Sequence, residues 1–185
     1  YKLIAPDATV TLQLSAQQFT ITAPIKPQHL NGSRIVIKGA TMAGAFPAQA
    51  GIVSSAATTL ATLRARWATE IICSGCNGFE ATRGQFMKIQ DVLISGSSSY
   101  NGIVIGDSIN AAVSDTDYFG NGQLTALNVW CHGFGYGWWS RQMSNVSLNY
   151  CGASHCSSYG FVCNNCSYMV GVRAVANRCN IGFHA

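Results

Sequence analysis

The chain has 185 residues, enough to bury a hydrophobic core, but its composition differs from that of an ordinary soluble domain. Hydrophobic residues make up 48% of it and charged residues only 10%, against ~25% in a typical domain. The net charge of +4 comes from scattered Lys and Arg residues, so no basic stripe predicts a nucleic-acid partner. No apolar run approaches the ~20 residues that cross a bilayer, and we therefore expect no membrane insertion.

The first fifty residues contain short runs that alternate apolar and polar residues, at 8–14, 19–25 and 33–39. Such alternation is typical of half-buried strands. We expect residues 1–50 to form opening coils, and Ser54 to Trp67 to form one short helix, since only this window has helical spacing. The chain begins inside a strand-like run and ends in another, which suggests a fragment of a longer protein.

A short motif with a central glycine recurs five times in the remaining chain. Successive glycines are 24, 35, 23 and 22 residues apart, and each interval contains a second strand-like run. A polar, turn-rich insertion at 108–122 accounts for the long interval. The repeat predicts an all-β, right-handed, single-stranded parallel β-helix, with regular solenoid coils of about 22–24 residues over 51–185. The motif glycines are Gly78, Gly102, Gly137, Gly160 and Gly182.

Strand alternation assigns the residues beside these glycines to two sides. The residue directly after each glycine should point inward, and these residues are Phe79, Ile103, Trp138, Phe161 and Phe183. The next residue should point outward, and three consecutive outward positions are apolar: Val104, Trp139 and Val162. We interpret this row as an interface with another chain, with a ligand groove as the alternative.

The N-terminal runs Ala8–Leu14, Phe19–Ile25, His29–Gly32 and Ser33–Gly39 resemble the opening coils of the pectin-lyase-like superfamily. More narrowly, they are similar to the β-helical domains of bacteriophage tail fibres and tailspikes. The resemblance implies a homotrimeric virion appendage, joined to other tail proteins, that attaches the phage to a bacterial surface polysaccharide. It leaves two alternatives open: a polysaccharide lyase or glycoside hydrolase on the same fold, and a secreted extracellular β-helix of cellular origin.

Candidate chemistry is sparse, because polysaccharide cleavage needs either a pair of acidic groups or an acidic calcium site with a basic residue, and the chain has only seven Asp and Glu residues. Asp115 and Asp117 in the insertion are the best pair, although a solvated Asp-rich turn is the simpler interpretation. Aromatic residues are denser around position 139. We predict a glycan-binding patch of Trp139 and Arg141, joined by Tyr118 from the insertion.

The eight cysteines allow three interpretations: zinc ligands, disulfides, or free thiols packed as small hydrophobic residues. Cys73 and Cys76, and also Cys163 and Cys166, have CxxC spacing, but each pair lies inside or beside a strand pattern. The four histidines are whole coils apart. We expect free thiols, no metal and no cofactor.

Overall fold

The computed structural model describes residues 8–26, 34–44, 46–47, 55–81, 85–106, 122–141, 144–164 and 167–185. Within these ranges the chain is mostly β-strand and every strand pairing is parallel, which confirms the predicted all-β class. The strands are β1 (Val10–Gln13), β2 (Gln18–Ile21), β3 (Ile35–Lys38), β4 (Glu70–Cys73), β5 (Phe79–Ala81), β6 (Phe86–Ser95), β7 (Asn101–Ile105), β8 (Gln123–His132), β9 (Tyr136–Ser140), β10 (Asn145–Ser154), β11 (Tyr159–Cys163), β12 (Tyr168–Val172), β13 (Val175–Asn177) and β14 (Ile181–His184).

The strands form three parallel ladders, which we call faces 1, 2 and 3. Face 1 contains β1, β3, the first halves of β6, β8 and β10, and β12. Face 2 contains β2, β4, the second halves of β6, β8 and β10, and β13. Face 3 contains β5, β7, β9, β11 and β14. Each pass of the chain visits the three faces in this order.

The corner between faces 1 and 2 is a single residue in the left-handed conformation. Asp91, Asn128, Tyr150 and Arg173 occupy it in successive passes, with φ between 53° and 56°. Asn and Asp tolerate this conformation better than other non-glycine residues. The amide Nδ2 of Asn128 also donates to Oδ1 of Asp91 at 2.8 Å, so the corners bond to one another between passes.

The repeat glycines stack on face 3 because neighbouring backbones approach closely there. A Cβ added at Gly102 would lie 2.6 Å from the carbonyl oxygen of Gly137 and 2.8 Å from Sγ of Cys131. Gly78, Gly137 and Gly160 have equivalent contacts of 2.5–2.8 Å with the next glycine's oxygen. None of these glycines has a positive φ. A side chain is therefore excluded by lack of space and not by backbone conformation.

The residues after these glycines point inward as expected. Phe79, Ile103 and Trp138 are fully buried, and Phe161 is 2% exposed. The rings of Trp138 and Phe161 stack with centroids 5.8 Å apart. Phe183 is 59% exposed, since no further described pass covers it.

A long excursion at 39–69 separates β3 from β4. It carries a 3-10 turn (Ser55–Thr58) and helix α1 (Leu60–Arg64), which confirms the helix predicted between 54 and 67. Phe46, Leu63 and Trp67 from this excursion pack on the outer side of face 2, against Leu93 and Trp130. We expected regular coils from residue 51; in the described residues that follow, the 3-10 turn and α1 occupy 55–64 and β4 begins at residue 70.

The described part of the chain has no helix with the length and hydropathy of a membrane-spanning segment.

Candidate functional site

The outer side of face 3 carries a groove of about 510 Å³. It crosses several passes, so its lining comes from strands β5, β7 and β9 and from the turns that precede them. Hydroxyl, amide and aromatic groups predominate. The lining residues are Pro24, Cys76, Asn77, Glu80, Ser98, Ser99, Tyr100, Asn101, Val104, Gly135, Tyr136, Trp139 and Ser158.

Asn77 fixes one wall of the groove because its side chain joins two passes. Its Oδ1 accepts the backbone N–H of Asn101 at 2.8 Å. Its Nδ2 donates to Oε1 of Glu80, also at 2.8 Å. The amide therefore positions a carboxylate that lies on the outward side of β5.

Glu80 is buried at this wall and is neutralised by a lysine. The carboxylate is only 6% exposed, and its Oε2 lies 2.7 Å from Nζ of Lys26. This contact is an ion pair whose angle does not meet hydrogen-bond geometry. The Lys26 side chain is 45% exposed and extends from the rim of the groove toward solvent.

A continuous stack of side chains runs along the outer side of face 3. The rings of Trp139 and Tyr136 are stacked with centroids 4.4 Å apart, and Tyr136 also stacks on Tyr159 at 5.3 Å. The guanidinium of Arg141 lies over the Trp139 ring at 4.8 Å, and the His184 ring lies 5.1 Å from Tyr159. The structure thus brings the predicted Trp139 and Arg141 together.

The Trp139 ring is less accessible to a sugar than we predicted, because the Tyr136 ring and the Arg141 guanidinium already lie against it. Its Nε1 is also buried and has no hydrogen-bond partner. Tyr100, in contrast, takes part in no ring stack within the described chain and is half-buried in the groove. Tyr100 also packs against the main core, so a sugar can reach only the part of its ring that lines the groove. The sequence offered one signal for it, since Tyr100 stands two residues before a repeat glycine.

The predicted outward row of Val104, Trp139 and Val162 is aligned in register across β7, β9 and β11. Val104 is 2% and Val162 1% exposed within the single chain. Their apolar character therefore requires no second chain to cover them, and the interface stays a prediction.

Three predicted residues, Asp115, Asp117 and Tyr118, lie outside the described residues. Gly106 and Gly122, the described residues that flank residues 107–121, lie next to each other. A Cβ on Gly122 would lie 2.9 Å from the backbone nitrogen of Gly106. The strands β6 and β8 are paired in register, from Phe86 opposite Gln123 to Ser95 opposite His132.

A second polar cluster lies on the outer side of face 2, beneath α1. Glu70 is 1% exposed and is held by Arg64, at 2.7 Å from Nε, and by Ser95, whose hydroxyl donates at 2.6 Å. In the next passes, Nδ1 of His132 lies 2.9 Å from the Ser154 hydroxyl, which also accepts from Trp130 Nε1 at 2.8 Å. These bonds satisfy buried groups and fasten neighbouring passes.

The rings of His132 and His155 lie 4.8 Å apart, so histidines one coil apart in the sequence become neighbours. Burial, with a smaller effect from His155, lowers the pKa of His132 to about 4. Burial also lowers the pKa of His155. Both imidazoles are therefore kept neutral.

The seven described cysteines are free thiols, and no three His, Cys, Asp or Glu side chains of the described ranges form a metal site. Burial raises the pKa of Cys73 and of Cys151 to about 12. Cys156 and Cys179 are one pass apart, and their hydrogen bond lowers the pKa of Cys179 to about 7. Cys166 lies outside the described residues.

No family model, curated protein or solved structure matches the chain.

Proposed function

We propose that this chain is a right-handed parallel β-helix whose third face binds a glycan. Three parallel ladders visited in constant order support the helix, and parallel crossover connections are right-handed in about 98% of cases. The observation that carries the function is the groove on face 3, which hydroxyl and amide groups line together with Tyr100. Such linings hold sugars through hydrogen bonds and stacking.

The setting that we propose is a bacteriophage tail fibre or tailspike, in which the β-helix forms the shaft or the receptor-binding domain. The chain would then form a homotrimer, join other tail proteins in the virion and attach to a bacterial surface polysaccharide. The N-terminal runs that resemble tailspike coils support this proposal. Sedimentation analysis should then give a trimer at micromolar concentration, whereas a stable monomer would contradict the oligomer.

The alternative function is a polysaccharide lyase or hydrolase, for which Asp115 and Asp117 are the candidate catalytic residues. Among the groove's described lining residues, Glu80 is the single carboxylate, and Asn77 and Lys26 already engage it. Cleavage by acid and base catalysis requires a second acidic or basic group. The groove as described therefore favours binding over cleavage.

The binding function is tested by Tyr100→Ala on an array of bacterial capsular and lipopolysaccharide glycans. Loss of a stacking ring should weaken retention about fivefold, since aromatic contacts contribute on the order of 1 kcal/mol beyond burial. Tyr168→Ala is the matched control, because Tyr168 is a 61% exposed tyrosine on face 1. Equal retention by both variants, with unchanged circular dichroism, would exclude the groove as the binding site.

A further inference from the structure

The groove on face 3 holds one formal charge among its described lining residues, and that charge is compensated. Glu80 is the charged residue, and Lys26 lies 2.7 Å from its Oε2. The pair brings one negative and one positive charge to the wall. These two residues therefore add no net charge to the groove, and the Arg141 guanidinium beside it lies against the Trp139 ring.

The groups that a ligand can reach are neutral and hydroxyl-rich. Ser98 and Ser99 are exposed at one side, and Tyr100 is half-buried beside them. In the described part of the chain, none of these three hydroxyls makes a hydrogen bond with another protein group, so each can donate to and accept from a ligand. Sugar hydroxyls have the same dual capacity, whereas a carboxylate only accepts.

We propose that this groove selects neutral glycans over acidic ones, and that the Lys26–Glu80 pair determines the selectivity. The inference rests on the glycan-binding function proposed above. A uronate or sialate entering the groove would lose hydration near the carboxylate of Glu80. Desolvating a charge is costly unless an opposite charge or several donors compensate it, and Lys26 is already engaged by Glu80.

The Glu80→Gln variant tests the role of the pair directly. Gln keeps an acceptor for Asn77 but removes the negative charge, which leaves the half-exposed ammonium of Lys26 uncompensated at the rim. Affinity for hexagalacturonate, relative to cellohexaose and isomaltohexaose, should rise about fivefold at low salt. High salt should reduce the gain because it screens a rim charge.

The double variant Lys26→Gln with Glu80→Gln is the matched control, since it restores neutrality without the ion pair. Its ratio of acidic to neutral affinity should return toward that of the wild type. An unchanged ratio in Glu80→Gln would overturn the role assigned to the pair. If the wild-type protein binds hexagalacturonate more tightly than every neutral probe, the proposed selectivity for neutral glycans is wrong, while the glycan-binding function stands. If the wild type binds neither these probes nor any glycan of the bacterial array, the glycan-binding function itself fails.

Discussion

At the scale of single residues, the repeat glycines are easily recognised by their spacing in the sequence. The sequence does not show why each of these positions must be glycine. Glycine often indicates a tight turn, and Gly44, Gly75, Gly106 and Gly133 do adopt positive φ. The glycines of the repeat do not. They are required because the carbonyl of the next pass lies where a Cβ would stand.

Gly102→Ala should therefore lower the free energy of unfolding by about 3 kcal/mol, since overpacked sites cannot relax when backbone blocks them. Gly182→Ala, in the same row, should cost little, because its Cβ would meet only Ala176 Cβ at 3.3 Å. Urea denaturation of both variants measures the difference. Similar losses of unfolding free energy at the two positions would show that the close approach of the neighbouring backbone is not the reason why glycine is required.

His132 should make stability depend on pH. Its pKa falls from 6.5 to about 4 on folding, so between these values the unfolded chain binds a proton that the folded chain does not. Stability from the neutral imidazole is fully present above the unfolded pKa and is lost as pH decreases toward the folded pKa.

The urea midpoint of the wild type should accordingly decrease between about pH 7.5 and about pH 5, and His132→Gln should show a smaller decrease. His184→Gln is the control, because His184 is exposed on the last described pass. The interpretation fails if His132→Gln keeps the full pH dependence of the wild type.

At the scale of elements, the excursion between β3 and β4 acts as a cover for face 2. Leu93 and Trp130 point away from the main core, and Phe46, Leu63 and Trp67 bury them in a second cluster. Trp67 also donates from Nε1 to the carbonyl of Asn128 at 2.7 Å, at a left-handed corner. The excursion therefore stabilises both the face and the corner.

Trp67→Ala should cost about 3–5 kcal/mol, since it leaves a cavity beside Trp130. Trp67→Phe keeps most of the packing and loses the hydrogen bond, so a smaller cost of about 1–2 kcal/mol is expected. Urea unfolding followed by far-ultraviolet circular dichroism gives both values. A cost below about 1 kcal/mol for the Ala variant would show that the cover is not tightly packed.

At the scale of the whole molecule, a stack of passes is stabilised mainly by contacts between neighbours. The middle passes, with β8 and β10, have neighbours on both sides. The last described pass has a neighbour on one side, and Tyr168, Val172 and Phe183 there are more than half exposed.

Passes with a neighbour on one side should open more often than passes with neighbours on both sides. We therefore expect the amides of β12 and β14 to exchange hydrogen faster than those of β9 and β10. Mass spectrometry of peptides from the native protein measures the rates. Uniform protection from β9 to β14 would show that the passes open as one unit.

The sequence alone determined the all-β class, the register of the glycine motifs, the inward side of face 3 and the short helix. These features depend on local alternation and on a spacing that recurs along the chain, both of which can be read from the printed residues. The fold subtype, the trimer and the glycan remain proposals.

Only the tertiary structure decided what lies on the outer sides of the faces. The sequence placed Trp139 outward, but its contacts with Tyr136 and Arg141 depend on how the side chains of one pass lean along β9. The groove likewise joins Pro24, Glu80 and Tyr100, which are far apart along the chain and line one surface only after stacking. Periodicity specifies which side of a strand a residue occupies, whereas contacts between passes decide whether that side is covered or open.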